Sequence, residues 1–167
     1  FGFTDPIDGT DSLLGVKITT LESTGALQWY NGSAWVDVTA GQTISATDIG
    51  LNYLRFTPVA NANGATYDSF TFQVQDDGGT ANSGVDLDAS PNTMTIDVTA
   101  VNDAPAGTDT TVTAIEDTDY IFTAANFGFT DPIDGTDSLL GVKITTLEST
   151  GALQWYNGSA WVDVTAG

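Results

Sequence analysis

Apolar and polar residues alternate with a period of two along most of the chain. Leu14, Val16 and Ile18 are interleaved with Gly15, Lys17 and Thr19. Phe70, Phe72 and Val74 are interleaved with Thr71, Gln73 and Gln75, and Met94, Ile96 and Val98 with Thr95, Asp97 and Thr99. Each run reads as a half-buried antiparallel strand. Asn31-Gly32 separates Leu27–Tyr30 from Ala34–Val36 and marks a hairpin tip. Helical periodicity is absent, apart from one turn expected at Ala46-Thr47-Asp48-Ile49. Several short strands at regular spacing predict an all-β fold, a seven-stranded Greek-key β-sandwich of the cadherin/Ig-like kind.

The chain also repeats itself. Residues 1–41 recur without a change as residues 127–167, so the period is 126 residues. Exact recurrence points to a tandem array, a design suited to stalks and multivalent surfaces. The stretch Val101-Asn102-Asp103-Ala104-Pro105-Ala106-Gly107 combines breaker and turn residues after a strand, and reads as a linker. The expected division is therefore 1–101, a repeat lacking its first strands, and 102–167, the linker and opening portion of the next identical repeat. In that next repeat, strands are expected at about 110–114 and across 120–129.

Charge changes the picture from shape to chemistry. The 167 residues hold 22 Asp plus Glu against 3 Lys plus Arg, a net charge of -19, with no His and no Cys. Such a chain repels nucleic acid and anionic membrane surfaces, and multivalent cations are its natural partners. Without Cys there is no disulfide or thiolate site, and without His no imidazole base or ligand. No apolar run reaches the roughly 18 residues of a membrane span.

The acids cluster at turns. Asp131-Pro-Ile-Asp134-Gly-Thr-Asp137, with its copy Asp5, Asp8 and Asp11, follows a predicted strand. Asp76-Asp77 precede Gly78-Gly79, Asn102-Asp103 lie in the linker, and Glu116-Asp117 lie between the first two strands of the second repeat. Threaded through a sandwich, the Asp131 and Asp76 loops fall at one pole and the Glu116 turn and the Asn61–Asp68 loop at the other, where consecutive repeats would meet. Oxygen ligands in that number suit calcium, which takes 6–8 of them.

The stretches Val-Asn-Asp-Ala-Pro (101–105), Glu-Asp-Thr (116–118), Phe-Gly-Phe-Thr-Asp-Pro (127–132), Asn-Ala-Asn-Gly (61–64), Phe-Thr-Phe-Gln-Val-Gln-Asp (70–76) and Thr-Ile-Asp-Val-Thr-Ala-Val-Asn-Asp (95–103) resemble, in order and spacing, the cadherin-like tandem repeats of giant bacterial adhesins, including those with RTX-type secretion modules. The resemblance implies calcium (Ca2+) between adjoining repeats. By matching motif, Asn102 and Asp103 would be linker ligands, Glu116 the acid of the early strand, Asp131 and Asp134 (copies Asp5 and Asp8) the paired acids, and Asp76 the acid closing its strand. It departs from the family in spreading the usual Asp-x-Asp over three carboxylates, and in lacking the acidic tripeptide of animal cadherins, for which Asn63 or Asp68 would substitute.

The expected function is a non-enzymatic, calcium-stiffened extracellular spacer that projects a distal adhesin domain in cell adhesion or biofilm formation. Its partners would be the neighbouring repeats, held through calcium. The rival reading is a glycan-binding or homophilic module, with Trp29 and Trp35 at the hairpin as sugar platforms. Asn31-Gly32-Ser33 matches a glycosylation acceptor and reads equally as a tight turn. Paired-carboxylate catalysis needs two acids across a cleft, whereas Asp5, Asp8 and Asp11 share one loop.

Overall fold

The computed structural model describes residues 2–5, 9, 11–135 and 137–167. The chain forms two compact units, residues 1–101 and 102–167. It is mostly β, and among the described residues every strand pairing is antiparallel.

In the first unit the strands are β1 (Leu13–Thr20), β2 (Ala26–Tyr30), β3 (Trp35–Asp37), β4 (Thr43–Ser45), β5 (Leu54–Thr57), β6 (Gly64–Asp76) and β7 (Asn92–Val98). They make a four-stranded sheet in the order β4-β1-β6-β7 and a three-stranded sheet in the order β3-β2-β5. Both sheets supply one core. Val16 and Ile18 of β1, Ile44 of β4 and Phe70 and Phe72 of β6 meet Leu27 of β2 and Val38 beyond β3. One short helix, α1 (Ala46–Gly50), starts at Ser45, whose hydroxyl accepts the Asp48 N–H.

The alternation in β1 is broken once. Leu14 was expected to face inward with Val16 and Ile18, but it is 50% exposed. Between Leu13 and Gly15 two residues of β1 oppose one step of β6. That bulge resets the pleat, so Leu13 packs against the core in its place. Gly15 is needed beside it: a Cβ there would stand 2.9 Å from the Ile44 carbonyl oxygen.

The turn at the tip of β2–β3 is built by Asn31, whose Oδ1 accepts the N–H groups of Ser33 and Ala34 at 3.0 Å each. Gly32 takes φ +94° there. The Asn-Gly-Ser triplet is thus a side-chain-closed turn.

In the second unit the strands are β8 (Gln154–Tyr156) and β9 (Trp161–Asp163), a two-stranded hairpin. Strands were also expected at 110–114 and across 120–129, and the structure corrects both. Residues 110–114 are irregular, and Ala124–Phe127 is a 3-10 turn closed by the Asn126 side chain on Thr123. An isolated bridge joins Ala106 to Thr130. Among the described residues of the second unit, neither segment is paired with β8 or β9.

Candidate metal centre

The loop after Thr130 folds on its own carboxylates. Asp131 Oδ1 accepts the Asp134 N–H at 3.1 Å, and the Asp131 carbonyl accepts the Gly135 N–H at 3.2 Å. Gly135 has φ +66°, a left-handed conformation that glycine adopts at no steric cost. The turn brings carboxylate oxygens of Asp131, Asp134 and Asp137 within 4.8 Å of one another. Asp131 and Asp134 are half-buried, and Asp137 is exposed.

The linker is tied to the same loop. Asp103 donates its backbone N–H to Asp134 Oδ2 at 2.6 Å, and Ala106 exchanges two backbone hydrogen bonds of 2.8 Å with Thr130. Asn102, Asp103 and Pro105 line one recess with Phe129, Asp131 and Asp137. Residues 102–103 and 131–137, about thirty apart in sequence, thus converge. The donors are all oxygen, and their spacing fits a hard cation held by several carboxylates. Three like charges at that separation repel one another, which gives a cation something to relieve.

In the first unit a second acidic group gathers where β1 and β6 end. Leu13 is opposite Asp76, Ser12 donates its N–H to Asp77 Oδ1 at 2.7 Å, and the Ser12 carbonyl accepts the Asp77 N–H at 3.0 Å. The Asp11 carboxylate lies over Gly78, where any side chain would collide with it, and Asp76 Oδ1 accepts the Gly78 N–H at 2.9 Å. Asp11, Asp76 and Asp77 therefore share one end of the sheet. Asp5 is half-buried, and Asp8 lies outside the described residues. Glu116 and Asp117 form an exposed turn in which the Thr118 N–H donates to the Ile115 carbonyl and the Thr118 hydroxyl to the Glu116 carbonyl, bonds that stay within the turn and do not join it to the Asp131–Asp137 loop.

One carboxylate has a role that sequence reading missed. Asp68 was placed in a loop as a substitute ligand, but it sits within β6 on the face of Phe70 and Phe72, only 8% exposed. Its oxygens accept the backbone N–H groups of Ser23 (3.0 Å), Thr24 (2.6 Å) and Ser69 (2.7 Å), and the Ser23 hydroxyl (3.2 Å). Burial pushes its pKa up, but the four hydrogen bonds outweigh that and hold it below the ordinary aspartate value. Asp68 thus pins the crossover between β1 and β2. Its position on the apolar face of the β6 alternation is the signal that marks it.

The aromatic residues of the small sheet are engaged with one another. Tyr30 meets Trp35 and Tyr53 with ring centroids 5.6 and 5.2 Å apart, and the Arg55 guanidinium stands 4.0 Å over the Trp35 ring. Trp29 packs against the core.

Comparison with protein-family models, with curated proteins and with solved structures gives no match to this chain. Among the described residues no helix is long and apolar enough to cross a membrane.

Proposed function

We propose that this chain is a calcium-binding structural spacer, one and a third periods of a tandem array of cadherin-like Greek-key sandwiches in a large extracellular adhesin. The observation that carries the reading is the convergence of Asn102-Asp103 with the three carboxylates of the Asp131–Asp137 loop. A linker bonded to an acidic loop is where an ion would couple one repeat to the next. Bound calcium would neutralise the cluster and fix the linker, turning a flexible string of repeats into a stiff rod. The acids of Asp11, Asp76 and Asp77 would serve the corresponding junction before the first unit, with Glu116 and Asp117 at the far pole of the following repeat.

The net charge of -19 supports a cation partner over nucleic acid or membrane. The exact 41-residue recurrence supports an array in which identical units add length, and an extracellular setting follows from the calcium levels such sites need. The chain carries no His or Cys, and its clustered acids share loops, which supports a role other than catalysis. A sugar platform is disfavoured, because Arg55 covers one Trp face and the core takes the other Trp.

Calorimetric titration tests the reading. Calcium is expected to bind the 167-residue chain with Kd of roughly 10⁻⁴–10⁻³ M. Asp131→Asn with Asp134→Asn should weaken that binding at least about tenfold by removing two charged ligands. A wild-type chain that takes up no calcium, or a double variant that binds as tightly, rejects the site.

A further inference from the structure

Strand alternation decides which side chains the smaller sheet of the first unit turns outward. Leu27 and Trp29 of β2 pack against the core, so Gln28 and Tyr30 project from the other face. Across the ladders Trp35 is opposite Tyr30, and Asp37 and Arg55 are both opposite Gln28. Tyr53 joins them, its carbonyl accepting the Tyr30 N–H at 2.8 Å. Tyr30, Trp35 and Tyr53 are half-buried, and Asp37 and Arg55 are exposed.

Arg55 is the only arginine of the chain, and among the described residues no acid pairs with it. Its Nε and Nη2 donate instead to Gln28 Oε1, at 3.1 and 2.8 Å, and Gln28 Nε2 donates to Asp37 Oδ1 at 2.9 Å. The side chain leaves β5 toward β2 and β3, and its guanidinium stands 4.0 Å over the Trp35 ring. It therefore points away from the far edge of β5. Held on one edge by a neutral amide and on one face by a ring, the guanidinium keeps its charge uncancelled. Its remaining N–H groups are fixed in direction before any ligand arrives.

That placement removes the Trp35 face on which a neutral sugar would stack, and it supplies a different contact. We propose that the outer face of the smaller sheet binds a carboxylate-bearing sugar of the uronic-acid class. Arg55 takes the carboxylate with its unused N–H groups, the pairing for which a planar fork is best suited. Asp37, whose Oδ2 has no hydrogen bond among the described residues, accepts from the sugar hydroxyls. Trp35 and Asp37 lie two residues apart on one face of β3, about 7 Å, a span that one sugar ring with its substituents covers. Tyr30 and Tyr53 offer ring surface to the C–H groups of the sugar and hydroxyls to its oxygens. Asp37 also selects the ligand. An acid beside the cation repels a bare phosphate or sulfate, whereas a ligand that joins one carboxylate to several hydroxyls satisfies both groups. The net charge of -19 acts in the same direction, favouring a short acidic sugar over a long polyanion.

The test uses the full chain in chelator, so that no calcium bridges the sugar to the Asp clusters and the result stands apart from the calcium reading. About 0.15 M NaCl screens the net charge. A short galacturonic acid oligomer should shift the NMR signals of the Trp35 indole N–H and the Arg55 Nε–H, and saturate at one site per chain because there is one arginine. The matching galactose oligomer, and a triglutamate peptide that has carboxylates without hydroxyls, should each bind at least about tenfold more weakly. Arg55→Lys keeps the charge and loses the fork, and should weaken binding at least about tenfold. Asp37→Ala would tighten the binding of a plain anion by removing a like charge, and should weaken that of the sugar. Both positions are exposed, and unfolding midpoints equal to the wild type's show that the variants keep the fold. No saturable binding by the wild type, a neutral oligomer or peptide that binds as well, an Arg55→Lys chain that binds as tightly, or tighter binding by Asp37→Ala overturns the proposal.

Discussion

Asp68 shows how one buried charge can organise a connection between sheets. It is worth keeping only because the crossover supplies three donors and Ser69 of β6 a fourth, and removing it strands the Ser23 and Thr24 N–H groups. Asp68→Ala should therefore destabilise the first unit by roughly 2–3 kcal/mol in denaturant titrations followed by Trp fluorescence. Its pKa is lower in the folded than in the unfolded state, so its stabilisation is complete above the unfolded value of about 4. That contribution should fade as pH falls from there through the folded value, and Asp68→Ala should lack that acid-limb component. Its partner Ser23 is 45 residues away, which is why local pattern placed Asp68 in a loop rather than in the core. The repeat supplies a matched control at the same scale. Ile18→Ala should cost about 2–5 kcal/mol, whereas Ile144→Ala, the same residue in the same local sequence, should change stability by less than about 0.5 kcal/mol.

At the scale of elements, what could be read in advance was what neighbours in sequence decide. The hairpin around Asn31-Gly32 forms in both copies, with Asn157 Oδ1 accepting from Ser159 and Ala160 as Asn31 does from Ser33 and Ala34. β6 and β7 appear where the alternation of Phe70–Val74 and Met94–Val98 puts them. The run at 13–20 becomes a strand because β4 and, some fifty residues on, β6 are there to receive it. Its copy at 139–146, and the expected strands at 110–114 and 120–129, show that alternation alone does not make a ladder. The Asp131–Asp137 cluster was legible as spacing, and its bond to Asp103 was not. Hydrogen exchange of the chain should separate these cases. The amides of Val16 and Ile18 should be strongly protected, those of Val142 and Ile144 should exchange almost freely, and β8–β9 should fall between, since a lone hairpin is marginal in water.

For the whole molecule, charge sets the balance. With 22 acidic against 3 basic side chains, compaction brings like charges together across the surface of each unit. Raising NaCl from about 0.05 to about 0.5 M shortens the screening length several-fold and should raise the unfolding midpoint in chelator. If the Asp clusters hold calcium, millimolar calcium should raise it further than an equal ionic strength of NaCl. The two acidic groups described here, Asp131–Asp137 with the linker and Asp11 with Asp76-Asp77, are where that difference should originate.

The pairing of β1 with β6 has a consequence in time. A ribosome delivers a chain from its first residue onward, and residues 13–20 must wait for residues 71–76 to emerge before both of their ladder edges are paired. Until then the early half of the first unit lacks its β6 partner, and only the β1–β4 pair and the smaller sheet can form. A polypeptide built this way closes the larger sheet of its first unit only when β6 and β7 arrive.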